Sequence, residues 1–129
     1  GFAPNGLCFS PDYTKLYVIR GGRIFVGDIQ GHRVANLRLF TDCMVDGVRC
    51  GPDGMRADRA GNIWASSASV LGYAGVTVWN PAGKLIGRTR LPEPCANLCF
   101  AGPKRDHLFM CATQSIYMLR VNMQGASPG

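Results

Sequence analysis

Apolar residues along this chain fall in short runs of strand length, separated by clusters of Gly, Pro, Asn, Asp and Ser. No long stretch carries the period of an amphipathic helix. Residues 7–9, 16–19, 23–26 and 33–40 read as four strands, the last with Val34, Leu37 and Leu39 as its apolar members. Gly21-Gly22 separates the second from the third. The scheme then repeats at 55–57, 63–66, 75–79 and 85–91. Asn80-Pro81-Ala82-Gly83-Lys84 is a hairpin turn in which Pro81 presets φ and Gly83 accommodates a positive one. Residues 67–74 form a longer connection; Tyr73 and its small neighbours are candidates to wall a pocket, although a surface insertion between strands is the plainer reading. Residues 98–100, 107–111 and 115–121 supply three more strands, and the tail Gln124 to Gly129 is too short for a fourth. The pattern predicts eleven strands grouped four, four and three.

The three groups open on related sequences. Aligning Leu7, Met55 and Leu98 places them 48 and 43 residues apart, the period of a four-stranded propeller blade. The middle copy is the fullest: Cys50-Gly51-Pro52-Asp53-Gly54-Met55-Arg56-Ala57-Asp58-Arg59-Ala60-Gly61-Asn62-Ile63-Trp64. It frames an acidic residue with Pro and Gly, runs through a short strand into an Asp-x-x-Gly-Asn turn, and starts a second strand. In this register Asn5 stands where Asp53 stands one repeat later, and Asn97 aligns with Gly6 and Gly54. The expected architecture is all-β: about three four-stranded propeller blades, near residues 4–45, 46–94 and 95–124, in one half-propeller domain, 1–129. Propellers commonly close with a strand from the other end of the chain, so a short third blade predicts a closing strand outside these residues.

Composition changes this picture little. An apolar content of 47% in 129 residues is enough for a core. The formal net charge of +6 raises the question of nucleic acid, but the arginines are scattered from Arg20 to Arg120 without a compact basic-aromatic stripe, so no nucleic-acid partner is expected. A general attraction for anionic substrates or acidic partners is the more modest inference. The six cysteines contain no C-x-x-C spacing, and Cys8, Cys99 and Cys111 lie in strand-like apolar runs, as core thiols do. Loop spacing permits a Cys43–Cys50 bridge without establishing its geometry. With no signal peptide and no apolar run of membrane length, a reduced cytoplasmic chain without membrane contact is the simplest expectation.

The order and spacing of these motifs resemble the gluconolactonase, regucalcin (senescence marker protein) and related lactonase family. The resemblance rests on Pro4-Asn5-Gly6-Leu7-x-Phe9-Ser10-Pro11-Asp12, on Pro52-Asp53-Gly54-Met55-Arg56-x-Asp58-x-x-Gly61-Asn62-x-Trp64, on Gly75-Val76-x-Val78 with Pro81-x-Gly83-Lys84, and on Asn97-Leu98-x-Phe100-x-Gly102. It runs over about residues 4–121, and the chain looks like the C-terminal half of such a protein. The resemblance implies a six-bladed propeller with one divalent cation in its central channel, and hydrolysis of sugar lactones and related esters. It makes Asn5 an amide metal ligand and Asp53 a carboxylate ligand. An amide oxygen with a carboxylate suits a hard cation, Ca²⁺ first, with Mg²⁺, Mn²⁺ or Zn²⁺ as alternatives. Such an ion would polarise the lactone carbonyl and acidify a bound water, with Asp53 also placed to serve as catalytic general base.

Each residue also has a plain structural reading. Asn5 beside Gly6, and Asp53 beside Gly54, could each be simple turn residues. Asp58 and Asp12 are expected to cap turns, Arg56 to pair with a neighbouring acid, and Asn97 to lie near the channel rather than on the ion. His32 and His107 lack partners for a Ser/His/Asp arrangement. A glutamate ligand that the family carries near its N-terminus has no counterpart here, and Ile19-Arg20-Gly21 replaces the acidic, small-residue stretch usual after the second strand. Two function classes are therefore in view. One is metal-dependent lactone hydrolysis on a small-molecule substrate; the other is a non-catalytic propeller module that binds a divalent metal or a protein partner. A strictosidine-synthase-like propeller is a third, and the Asn5/Asp53 pairing argues against it. Open blade faces at both ends predict a partner, either another copy or a missing N-terminal half.

Overall fold

The computed structural model describes residues 3–126 and is all-β, with several antiparallel sheets and no helix among the described residues. Strands β1 (Leu7–Phe9), β2 (Lys15–Arg20), β3 (Arg23–Gln30) and β4 (Arg33–Thr41) form a first sheet in chain order. A two-stranded ribbon follows, β5 (Met44–Val45) and β6 (Val48–Arg49). Strands β7 (Met55–Ala57), β8 (Ile63–Ser67), β9 (Gly75–Trp79) and β10 (Leu85–Arg90) form the second sheet. A third holds β11 (Cys95–Ala101), β12 (His107–Ala112) and β13 (Ile116–Arg120).

Eleven of these thirteen strands match the predicted grouping of four, four and three. The ribbon is the addition. Its turn is Asp46-Gly47, both at positive φ (52° and 75°), the conformation a tight two-residue hairpin needs. The Asp-Gly pair was the available signal, but strands of two residues leave almost no apolar period to read. The described part of the tail adds no fourth strand to the third sheet and docks elsewhere. Arg59 donates its backbone N–H to Gln124 O (2.8 Å) and Ala126 donates to Ala57 O (3.0 Å), so residues 124–126 dock beside β7; residues 127–129 lie outside the described residues.

Alternation of side chains across each strand stacks the sheets. Cys8, Tyr17 and Val26 stand in one cross-strand row of the first sheet, with Ile19 opposite Ile24 on the same face. They pack against Met55, Ala57, Ile63, Ala65 and Trp79, one face of the second sheet, with Cys43, Val45 and Cys50 filling in from the ribbon. The other face of the second sheet presents Trp64, Val76 and Val78 to Leu98, Phe100, Leu108 and Met110 of the third. The Trp64 and Phe100 rings meet edge-on at 5.2 Å between centroids. Every residue of β8 and β9 is buried, as befits a sheet covered on both sides.

The outward faces of the first and third sheets carry exposed apolar side chains. Leu7, Phe9 and Leu39 are 53%, 44% and 52% exposed on one, and Phe109, Ile116 and Met118 are 37%, 74% and 54% exposed on the other. All six cysteines are free: Cys8, Cys43, Cys50 and Cys95 are buried, Cys99 is half-buried and Cys111 is exposed. The Cys43–Cys50 bridge is therefore not formed, although Cys50 donates its N–H to Cys43 O at 3.1 Å. Burial pushes the Cys8 and Cys43 thiols up to about 12, which suits them as inert core groups.

Candidate functional site

The first strands of the three sheets, β1, β7 and β11, lie side by side. Along them runs an open cleft of about 410 Å³ lined by Asn5, Gly6, Asp53, Gly54, Arg56 and Asn97, among others. Two glycines set how closely the strands approach. A Cβ on Gly6 would sit inside van der Waals contact with Asp53 O, and one on Gly54 would collide with the Asn97 side chain. The aligned triplets Asn5-Gly6-Leu7, Asp53-Gly54-Met55 and Ala96-Asn97-Leu98 thus meet at one level, each glycine admitting the backbone or side chain of the next repeat.

Backbone hydrogen bonds anchor each triplet. Asn5 donates to Ile19 O and Ile19 to Gly6 O, both at 2.8 Å, while Gly54 donates to Ala96 O at 3.0 Å. Ser66, fully buried near the end of β8, completes the clip. Its Oγ accepts from the backbone N–H of Asp53 (3.1 Å) and Gly54 (3.0 Å) and donates to Ala96 O (3.2 Å). In the sequence this serine reads as one more strand residue. Its signal was a small polar side chain ending an otherwise apolar strand, a position that needs hydrogen-bond partners once buried.

Asn5 and Asp53 are brought to the same cleft, both exposed. Among the described residues no protein group hydrogen-bonds the Asn5 amide or the Asp53 carboxylate, which leaves both side-chain oxygens available. Asn97 lies in the same cleft, but its Oδ1 accepts from the N–H of Leu98 (2.9 Å) and packs on Gly54. An amide and a carboxylate free of protein partners have the chemistry of hard-cation donors, while no group of three or more His, Cys, Asp and Glu side chains converges among the described residues.

The neighbouring residues sort differently. Asp58 is fully buried and accepts from Ala60 N, Asn62 N, Asn62 Nδ2 and Trp64 Nε1, all within 2.9–3.0 Å, so it ties the turn to the core. Asp12 caps its turn by accepting from Ser10 Oγ, Thr14 N and Thr14 Oγ1. The Ser10 hydroxyl first, then Thr14, hold its carboxyl down at about 2. Arg56 does not pair with an acid: its Nη1 donates to Met55 O at 2.9 Å, and no carboxylate among the described residues lies within ion-pair distance. His107 Nδ1 lies 2.9 Å from Asp106 Oδ1 and Arg120 Nε 3.3 Å from Asp106 Oδ2, on the third sheet away from the cleft. Tyr73 packs against the core and donates its hydroxyl to Asp46 Oδ2 at 3.3 Å, so the connection it belongs to follows the plainer reading.

Residues 2–114 match the model of the SMP-30/Gluconolactonase/LRE-like region. The chain belongs to this family. A gluconolactonase from Zymomonas mobilis subsp. mobilis is 33% identical over 95% of the chain, which covers 36% of that relative. A solved gluconolactonase from Xanthomonas campestris superposes with a TM-score of 0.76 at 32% identity, over 91% of this chain and 37% of that one. Regucalcin from Agrobacterium tumefaciens, described as a calcium-binding protein, shares the fold with a TM-score of 0.81 at 23% identity, over 95% of this chain and 47% of that one. The chain thus spans little more than a third of the curated family relative it matches. Among the described residues no helix is long and apolar enough to cross a membrane.

Proposed function

We propose that the chain is a half-propeller, about three blades of six, that supplies part of the site for metal-dependent hydrolysis of a sugar lactone or related ester. The observation that carries this is the convergence of Asn5 and Asp53, with unpaired side-chain oxygens, on one cleft between neighbouring first strands. Membership of a family with gluconolactonase members supports the reaction class. Asn5 and Asp53 would hold the cation, Ca²⁺ by preference. When bound, it supplies Lewis-acid polarisation of the lactone carbonyl and a more acidic water. Asp53 takes the proton from the attacking water, and the Ser66 clip fixes the Asp53 backbone so that the carboxylate needs little reorganisation to do so. Asn97 and Gly54 shape the floor against which a polyhydroxylated ring would rest.

The uncovered faces of the first and third sheets are where the remaining three blades would pack, contributed by the rest of a longer chain or by a second copy. The free thiols fit a reducing, cytoplasmic setting. A second reading is favoured by one observation: among the described residues only two candidate ligands converge, far fewer than the six to eight oxygens Ca²⁺ takes. On that reading the chain is a non-catalytic module binding metal or protein.

Acid release from aldonolactones, measured with Ca²⁺, Mn²⁺ or Zn²⁺ added and then chelated, separates the two. Metal-dependent turnover that falls at least about a hundredfold in Asp53→Ala is expected for the hydrolase, since a positioned base alone contributes about that much. Cation binding by calorimetry with no turnover in any metal would instead mean an incomplete half or a binding module.

A further inference from the structure

We propose that Arg56 is the anion-recognition residue of this cleft, and that it takes the carboxylate which opening of a lactone produces. The inference rests on the proposed function and goes past it to the product side of the reaction. In lactone hydrolysis water adds to the acyl carbon, the acyl–oxygen bond of the ring breaks, and the ring oxygen leaves as a hydroxyl. The acyl carbon becomes a carboxylate and one proton is released, so an uncharged ligand becomes a monoanion in place.

Arg56 is where such an anion would be met. It lies three residues beyond Asp53, in a cross-strand row with Trp64 and Val78, on the opposite side of β7 from Met55 and Ala57. This row turns it toward the third sheet, and it lines the Asn5/Asp53 cleft together with two adjoining recesses of about 180 and 350 Å³. The side chain is half-buried. One nitrogen, Nη1, is tethered to Met55 O, which fixes the guanidinium beside the cleft and leaves most of its five donors unused.

Other arginines of this protein are matched differently. Arg38 pairs with Asp28, Arg120 with Asp106, Arg59 with Gln124 Oε1, and Arg88 stacks on Tyr73 while donating to Gly72 O. Arg56, half withdrawn from water and facing a cleft, has no carboxylate among the described residues. A partly desolvated guanidinium without a counter-charge is most stable when an anion completes it, and its planar fork matches a carboxylate. Asn5 and Asn97 in the same cleft add amides suited to hydroxyl groups. The expected ligand class is therefore a polyhydroxy carboxylate rather than a bare anion or a neutral sugar.

The test is calorimetric binding with EDTA present, so that no cation bridges the ligand. The probes are gluconate, sorbitol as the neutral polyol and acetate as the bare carboxylate, titrated into wild type, Arg56→Gln and Arg56→Lys. Gluconate is expected to bind wild type in preference to both controls and to weaken as salt rises. Its affinity should fall at least about tenfold in Arg56→Gln and be partly kept in Arg56→Lys, with melting temperatures unchanged. Equal gluconate affinity in wild type and Arg56→Gln, sorbitol binding as tight as gluconate, or no gluconate binding by wild type would overturn the inference. Lactone turnover run on the same proteins keeps the two proposals apart. Arg56-dependent gluconate binding without turnover sinks the hydrolase alone, whereas turnover whose inhibition by gluconate is the same in Arg56→Gln sinks only the role of Arg56.

Discussion

At the scale of single residues, the site is made as much by what is missing as by what is present. Gly6 and Gly54 bring β1, β7 and β11 close enough for Asn5, Asp53 and Asn97 to share a cleft. Ser66 then fastens the Asp53-Gly54 peptide to Ala96 with a hydroxyl that both accepts and donates. In Ser66→Ala the Asp53 N–H loses its acceptor, while Gly54 keeps Ala96 O. The expected cost is about 1–2 kcal/mol in urea unfolding, with cation affinity at Asp53 falling several-fold and Ser66→Thr recovering part of it. An affinity unchanged in Ser66→Ala would remove Ser66 from the positioning of Asp53. Asp58, by contrast, serves the fold. Four donors and complete burial make it the tie between its turn and the Trp64 indole.

At the scale of elements, the first sheet carries an acid-sensitive network. Asp28 on β3 accepts from Lys15 Nζ at 3.0 Å, from Asn36 Nδ2 at 3.1 Å and from Arg38 Nη1 at 3.3 Å, knitting β2, β3 and β4 together. Lys15 first, then Asn36 and Arg38, lower its carboxyl from the ordinary 3.8 to about 2. A carboxyl depressed in the folded state adds stability above its unfolded pKa and loses it as pH falls through the folded one. The contribution of Asp28 is therefore whole above about pH 4 and gone below about pH 2. Urea midpoints measured across this window should separate wild type from Asp28→Asn at pH 6 and bring them together by pH 2. A gap that stays constant with pH would show that the network does not titrate with folding. The carboxylate is partly solvent-exposed, so the gap is expected to be small and to shrink with salt.

At the scale of the whole molecule, three sheets stack through two cores, and the stack ends in apolar faces on both sides. Isolated apolar surface residues are ordinary, but groups such as Leu7, Phe9 and Leu39 on the first sheet and Phe109, Ile116 and Met118 on the third are the kind of surface another layer covers. Light scattering coupled to gel filtration should show the chain associating with itself. Replacing one residue on each face, Phe9→Lys with Ile116→Lys, should shift it toward monomer at least about tenfold in dissociation constant while far-UV circular dichroism is retained. A wild-type chain that is monomeric at high concentration would mean that these faces do not close on a second copy, leaving the rest of a longer chain as what covers them.

The strands and the candidate ligands are legible in the sequence alone. Period-two runs cut by Gly and Pro locate the eleven strands of the three sheets, and the repeats that begin at Leu7, Met55 and Leu98 mark equivalent positions in them. These signals are local, set by backbone preference and side-chain alternation, so a short window holds them. Asn5 and Asp53 stand out as candidates because repetition makes them comparable, and the caps at Asp12 and Asp58 are legible because turn chemistry acts over a few residues. The rest depends on groups far apart in the chain. Ser66 touching Ala96, Arg56 standing without an acid, residues 124–126 docking on β7, and two thiols left unbridged in a shared core are all outcomes of packing. No window of sequence contains them, because the closeness of β1, β7 and β11 exists only once the sheets have stacked.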